Sequence, residues 1–296
     1  MSSKFSKWIT FTMERFPLLD HTLMIVLFVG GHLVLVHSIT GQIDVLKSAL
    51  VFMAIFLFFF KMRLYDEIKD YDLDCEINPT RPLPRGLLNL TDMKKGIFAC
   101  IALELILFST LGVNAIFSLV FAILYSLLMY KEFFIPKLIR PHLTTYAVVH
   151  TVVTVPMGLS IFSAMTGKLP WLMENSYYQF VLCSWFVFNI FEFGRKTFTT
   201  AEERNAVESY SKIFTRYGAV ALVISMSLLS LYMLFKIQNG LSYAQLILSV
   251  ILAMIGIVFS IKNKEKLGKI YRGFSSGYII LFYILFIIEI NLGLLL

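Results

Sequence analysis

The chain has 296 residues, 58% of them hydrophobic and 15% charged, with a formal net charge of +7 and a mean hydropathy of +0.77. A water-soluble domain carries about 25% charged residues, so this composition excludes a soluble globular enzyme and a disordered chain alike. Cys75, Cys100 and Cys183 form no CxxC pair and are too few for a disulfide framework. The composition predicts an all-α polytopic membrane protein.

Residues 1–17, with Lys4, Lys7, Arg15 and then Pro17, read as a basic interfacial segment. No signal peptide is expected there, because no short apolar core leads to a small-residue cleavage site. A spanning helix needs about 20 mostly apolar residues. Such runs predict nine transmembrane helices near 18–37, 45–62, 92–112, 115–130, 142–163, 176–193, 214–236, 242–261 and 274–296. The tight Gly112-Val113-Asn114 junction makes the third and fourth a helical hairpin.

With the N-terminus in the cytoplasm, the inside segments hold 23 of the 26 Lys and Arg residues, leaving Lys47, Lys168 and Lys236 outside. That skew is what the positive-inside rule requires. The net charge therefore marks the cytoplasmic membrane face, with the run Lys262 to Arg272 anchoring to anionic headgroups, and no nucleic-acid partner is expected. No linker divides the chain, so residues 1–296 are expected to form one domain. The long charged loops, 63–86 and 192–212, both fall inside, and the chemistry is expected there.

In the first loop Asp66, Asp70 and Asp74 are spaced four apart, which stacks them along one helix face. Like charges at that spacing repel, and a divalent cation converts the repulsion into coordination. Oxygen-only donors point to Mg²⁺, which keeps waters and substrate phosphates as further ligands. Arg81 and Arg85 follow on a Pro-stiffened turn and present planar forks suited to phosphate oxygens. Asp72 lies off the acidic face and reads as solvated. In the second loop Glu192 closes an apolar helix, where an acid needs a partner or a function. Arg195 and Lys196 are placed to hold a diphosphate, and Glu203 to approach a second metal, although Glu202, Glu203 and Arg204 equally fit a solvated helix face.

These motifs resemble the UbiA superfamily of intramembrane prenyltransferases. Its first signature, Asn-Asp-x-x-Asp-x-x-x-Asp followed by Arg-Pro and Pro-x-Gly, is similar to Asp66-Glu67-x-x-Asp70-x-x-x-Asp74 and Arg81-Pro82-Leu83-Pro84-Arg85-Gly86. The second signature, with acids at its first, eighth and twelfth positions and Tyr at its fourth, falls on Glu192, Thr199, Glu203 and Arg195. One carboxylate is thus replaced by Thr199 and the Tyr by Arg195.

The resemblance implies a helical bundle enclosing a central cavity that opens sideways to lipid. It implies Mg²⁺ held by Asp66, Glu67, Asp70 and Asp74 on one side and by Glu192 and Glu203 on the other. Asn78, Arg81, Arg85, Lys137, Arg140, Arg195 and Lys196 would hold the diphosphate of a prenyl diphosphate. Asp66, Asp70, Asp74 and Glu192 would carry the catalysis, ionising the allylic C–O bond and passing the prenyl group to an aromatic or lipid-like hydrophobic acceptor. Two alternatives share the resemblance. One is a terpene cyclase acting on the prenyl diphosphate alone, and the other a non-catalytic relative that binds a lipid or cation. Outside the motifs, Lys131, His150, Glu104 and Glu289 are weaker candidates, with membrane anchoring or interhelical hydrogen bonding as their plainer reading.

Overall fold

The structure, a computed structural model, describes residues 4–204, 208–238 and 240–293. The basic N-terminal segment folds as a short two-faced helix, α1 (Lys4–Arg15), with Phe11 buried and Phe5 and Met13 exposed. Its Phe11 ring and that of the following Phe16 meet Phe60 edge-on at 6.4 and 5.3 Å. Ion pairs Lys4–Asp92 and Arg15–Glu67, at 2.8 and 2.6 Å, tie the helix to the bundle.

The bundle consists of α2 (Leu18–Thr40), α3 (Val45–Lys69), the short α4 (Tyr71–Ile77), α5 (Leu90–Ser109), α6 (Val113–Tyr130), α7 (Pro136–Ile139), α8 (Leu143–Thr151), α9 (Thr154–Thr166), α10 (Asn175–Arg195), α11 (Tyr210–Gln238), α12 (Tyr243–Lys262) and α13 (Glu265–Asn291). Neighbours pack in the order α2, α3, α5, α6, α9, α10, α11, α12 and α13, and α13 returns to α2, which closes a ring. Local chemistry sets the ends. Asp44 caps α3 by accepting from the Lys47 amide at 3.0 Å, and Asn89 with Asp92 forms a reciprocal capping box at the start of α5.

Among the described residues, seven stretches are long and apolar enough to cross a membrane: α2, α3, α6, Leu143–Thr166, α11, α12 and α13. The other two predicted spans coincide with α5 and α10, which occupy the ring but carry a heavier polar load. Asp92, Lys94, Lys95 and Glu104 lie on α5, and Gln179, Asn189 and Glu192 on α10. The predicted span at 142–163 is broken between α8 and α9. Pro156 has no N–H to offer the Val152 carbonyl and its ring clashes there. The freed acceptors find other donors: the Val152 carbonyl accepts from the Val155 amide at 2.8 Å and the Thr151 carbonyl from the Thr154 hydroxyl at 2.9 Å, which is how a broken helix survives at membrane depth. The Thr151 side chain ties the break to α10, donating to Asn189 Oδ1 and accepting from Trp185 Nε1, both at 3.0 Å. The last helix begins at Glu265 rather than near 274, so Lys266, Lys269 and Arg272 ride on it. Residues 294–296 of that predicted span lie outside the described residues, as do 205–207 of the second motif loop.

The ring is filled along the middle of α2, short of a 350 Å³ void edged by Thr40, Asp44 and Lys168 at the end of that helix. His32 is fully buried and stacks among Phe28, Phe162 and Phe180, with its Nδ1 2.7 Å from the Phe28 carbonyl. A Cβ on Gly158 would sit 2.6 Å from His32 Nε2, so glycine permits this close approach. The opposite end, where α3 and α10 finish, stays open.

Candidate functional site

The C-terminal ends of α3 and α10 border a cavity of about 450 Å³. Asp66 and Lys69 enter it from α3 and Asp70 from the cap of that helix. Glu192, Arg195 and Lys196 enter from α10, and Tyr146, His150 and Thr151 from α8. Gly194 fixes the end of α10, because a Cβ there would lie 2.2 Å from that of Ser275 on α13. The polar groups sit above an apolar wall of Phe59, Met62, Phe188 and Phe191, in which Phe59 stacks on Phe188 at 6.2 Å.

Two further voids adjoin it. A 270 Å³ void shares Asp66, Met62 and Phe188 with the main cavity. A 450 Å³ void shares His21, Met24, Phe191 and Ile279 with that one and is edged by Ser276 and Gly277 of α13. The series runs from the acids to the seam between α2 and α13.

Charge in the main cavity is unevenly compensated. Glu192 is held by both of its basic neighbours, with Arg195 Nε at 2.7 Å and Lys196 Nζ at 2.7 Å. Asp66 lies 3.3 Å from Lys69 Nζ. Asp70 has no ion-pair partner among the described residues; desolvation at the cavity mouth, with the charges of Asp66 and Asp74, pushes its carboxyl above the usual range. An acid left in that state favours a cation.

Asp74 does not join this lining. α3 ends at Lys69 and Asp74 sits on α4, buried. Arg81 Nη1 lies 2.6 Å from its Oδ2 and Asn78 Nδ2 donates to its Oδ1 at 3.0 Å. Desolvation opposes ionisation there, but these hydrogen bonds and the Arg81 charge win and hold the carboxyl below its ordinary value. Asn78 and Arg81 are therefore occupied by Asp74. Glu67 turns the other way and is shared by Arg15 and Arg63, each at 2.6 Å. Arg85 makes a two-pronged bond to Glu14 of α1 at 2.9 and 2.7 Å.

Arg140 pairs with Glu132 at 2.8 Å, Lys137 is exposed, and neither borders the cavity. Glu203 accepts from Ser209 and Ser211 at 2.7 and 2.6 Å and lines a separate void with Phe198 and Arg216. Thr199, the position of the replaced carboxylate, is buried and donates to Glu202 at 2.8 Å. Of the weaker candidates, Glu104 pairs with Lys61 at 2.6 Å, Glu289 accepts from Ser242 at 2.7 Å, and His150 borders the cavity.

No three His, Cys, Asp or Glu side chains among the described residues converge into a metal cage. Asp66 and Asp70 nonetheless supply two oxygen donors on one wall, and Mg²⁺ is characteristically bound by one or two carboxylates completed by water and substrate phosphate. The donor set fits that ion. Lys69, Tyr146 and Thr151 escaped the sequence reading. Lys69 was visible inside the first motif, whereas the other two lie in an apolar span without a motif.

Together, the ring of helices and the cavity shared by α3 and α10 define a multi-pass membrane protein that presents carboxylates, arginine and lysine above an aromatic wall. The sequence matches the UbiA prenyltransferase family over residues 23–277, and the chain belongs to that family. It is 36% identical over 86 residues to digeranylgeranylglyceryl phosphate synthase of Methanocaldococcus jannaschii. That match spans 29% of this chain and 30% of the relative's length. A structure solved in work on digeranylgeranylglyceryl phosphate synthase in membranes superposes with a TM-score of 0.65 at 19% identity, covering 96% of this chain and 99% of the other. A UbiA homologue from Aeropyrum pernix K1 gives a TM-score of 0.57 at 16% identity, over 93% and 98% of the two chains.

Proposed function

We propose that the protein is a Mg²⁺-dependent intramembrane prenyltransferase, moving a prenyl group from a prenyl diphosphate to a hydrophobic acceptor. The observation that carries this reading is the single cavity in which Asp66 and Asp70 of the α3 end meet Arg195 and Lys196 of α10 above Phe59, Phe188 and Phe191. Asp66 and Asp70 would hold the metal ion. When bound, it neutralises charge on the departing diphosphate. Arg195 and Lys196 orient the diphosphate, exchanging Glu192 for phosphate oxygens. The aromatic wall lies against the prenyl chain and faces developing allylic positive charge with ring π-electrons.

The name of the Methanocaldococcus jannaschii relative supports an alcohol on a glyceryl phosphate lipid as the acceptor class. The charge skew supports a cytoplasmic N-terminus with both motif loops on that side, and the closed ring supports one domain over 1–296. The test is incubation of purified protein with Mg²⁺, prenyl diphosphates and a membrane-lipid extract, followed by mass spectrometry. A prenylated lipid with release of diphosphate is the expected result. Product from prenyl diphosphate alone would mean a cyclase, and absence of diphosphate release would mean a binding protein.

A further inference from the structure

We propose that His150 is the base that takes the proton from the acceptor hydroxyl, through Nε2. The inference rests on the transferase reading above. Transfer to an alcohol forms a bond between the acceptor oxygen and the first carbon of the prenyl chain. The bond from that carbon to the diphosphate oxygen breaks, with its electron pair leaving on diphosphate. The acceptor proton must then go to a base near the polar end of the cavity.

Of the carboxylates there, Asp66 and Asp70 serve the cation, and Glu192 is paired with Arg195 and Lys196 until those side chains turn to the diphosphate. His150 is on the same lining and its tautomer is fixed by geometry. Nδ1 lies 2.6 Å from the Tyr146 carbonyl, which only accepts, so Nδ1 carries the hydrogen. Nε2 is left with a free lone pair. Among the described residues, Nε2 is the one buried side-chain polar atom on this lining without a hydrogen-bond partner. Buried polar atoms are nearly always paired, so an unpaired one beside a cavity calls for a ligand. The ring is held by stacking on Tyr146 at 3.8 Å and by the edge of Phe133 at 6.2 Å. Such support lets a base wait without reorganising.

The step balances without another reactant: the hydroxyl proton moves to Nε2, leaving an imidazolium that later yields it to water or to the departing diphosphate. General-base assistance contributes about 100- to 10,000-fold. The tests use the full chain in lipid nanodiscs with Mg²⁺, geranylgeranyl diphosphate and geranylgeranylglyceryl phosphate. His150→Ala should bind geranylgeranyl diphosphate as the parent does, lose transfer by about that factor, and divert the prenyl group to geranylgeraniol. His150→Asn still offers a donor to the Tyr146 carbonyl and should be as poor as His150→Ala, while added imidazole should restore transfer in the alanine variant.

Recovery in His150→Asn without imidazole rescue would overturn the proposal in favour of a structural role. Undiminished transfer in His150→Ala, with an active parent, would overturn the inference alone. A parent that makes no prenylated glyceryl phosphate would overturn the transferase reading and the inference together.

Discussion

Arg81 grips both carboxylate oxygens of Asp74, 2.5 Å from Oδ1 and 2.6 Å from Oδ2, on a segment that has left the α3 helix. The pair separates two acids that the sequence spacing had placed on one face. Asp70→Ala should abolish Mg²⁺-dependent prenyl diphosphate binding while leaving the melting temperature nearly unchanged, because no partner is orphaned. Asp74→Ala should instead cost about 1–3 kcal/mol of stability, the usual loss when a buried hydrogen-bonded group is stripped of its partner. Thermal melts and binding titrations of both variants check this. Equal stability in the two would contradict the division of labour.

The acidic side of the site also has a pH signature. A metal held by Asp70, as proposed, would compete with protons for a carboxyl that is raised by desolvation and by Asp66 and Asp74. Mg²⁺-dependent binding should therefore fail on acidification at a higher pH than an ordinary carboxylate sets. A titration of binding against pH at fixed Mg²⁺ reads it directly.

Lys61 and Glu104 form a fully buried pair at 2.6 Å between α3 and α5, with the ammonium 3.8 Å from the Phe58 ring centroid. Removing one partner leaves an uncompensated charge, at a cost of about 3–5 kcal/mol, whereas replacing both by apolar groups is tolerated. Glu104→Gln should melt well below the parent, and Lys61→Met with Glu104→Leu should regain most of the loss. A double variant as unstable as the single one would show that the pair is irreplaceable.

The ring order follows from apolar runs and short connections, and those were plain in the sequence. The cavity walls were half visible. Asp66, Asp70, Glu192, Arg195 and Lys196 lie in motifs whose spacing is helical, so sequence distance maps onto a shared surface. Spacing fails where a helix ends, as between Asp70 and Asp74, and where charges find partners far along the chain. Nothing local to Arg85 announces Glu14, and nothing local to Glu67 announces Arg15. His150 stands out in the sequence as an ionisable group in a span, but its position on the cavity depends on the break at Pro156 and on α10 packing beside α8.

Glu202 and Arg272 link the second motif loop to α13 at 2.6 Å. The Arg272 hydrogen bond outweighs the desolvation of Glu202, and with help from Thr199 it holds the carboxyl at about 2 against an ordinary 4.5. A depressed carboxylate stabilises the fold above its unfolded value and loses that contribution as pH falls through the folded one. A contribution on the order of 3 kcal/mol should be present at neutral pH and fade between about 4.5 and 2. Glu202→Gln should lower the melting temperature at pH values above that window and converge with the parent at its acid end. Parallel melting curves at every pH would sink the linkage.

The last prediction concerns the position where the second motif departs from its family. Thr199 is buried and its hydroxyl donates to Glu202 at 2.8 Å, away from the cavity lining. Restoring a carboxylate by Thr199→Asp therefore sets one acid against another that already serves Arg272, and no metal ligand is gained. The variant should be less stable and should need no less Mg²⁺ for half-maximal prenyl diphosphate binding. Arg195 differs because it stands on the lining, where the proposed diphosphate would take it from Glu192. One charge-assisted contact is worth about 1.5–3 kcal/mol, or about 10- to 150-fold in affinity. Arg195→Ala should lose prenyl diphosphate affinity in that range, and Thr199→Ala much less. Titrating prenyl diphosphate at saturating Mg²⁺ and then Mg²⁺ at saturating prenyl diphosphate separates the two effects. A lowered Mg²⁺ requirement in Thr199→Asp would mean that the loop rearranges to bring residue 199 to the metal. Parent-like binding by Arg195→Ala would leave Arg195 as a partner of Glu192 alone.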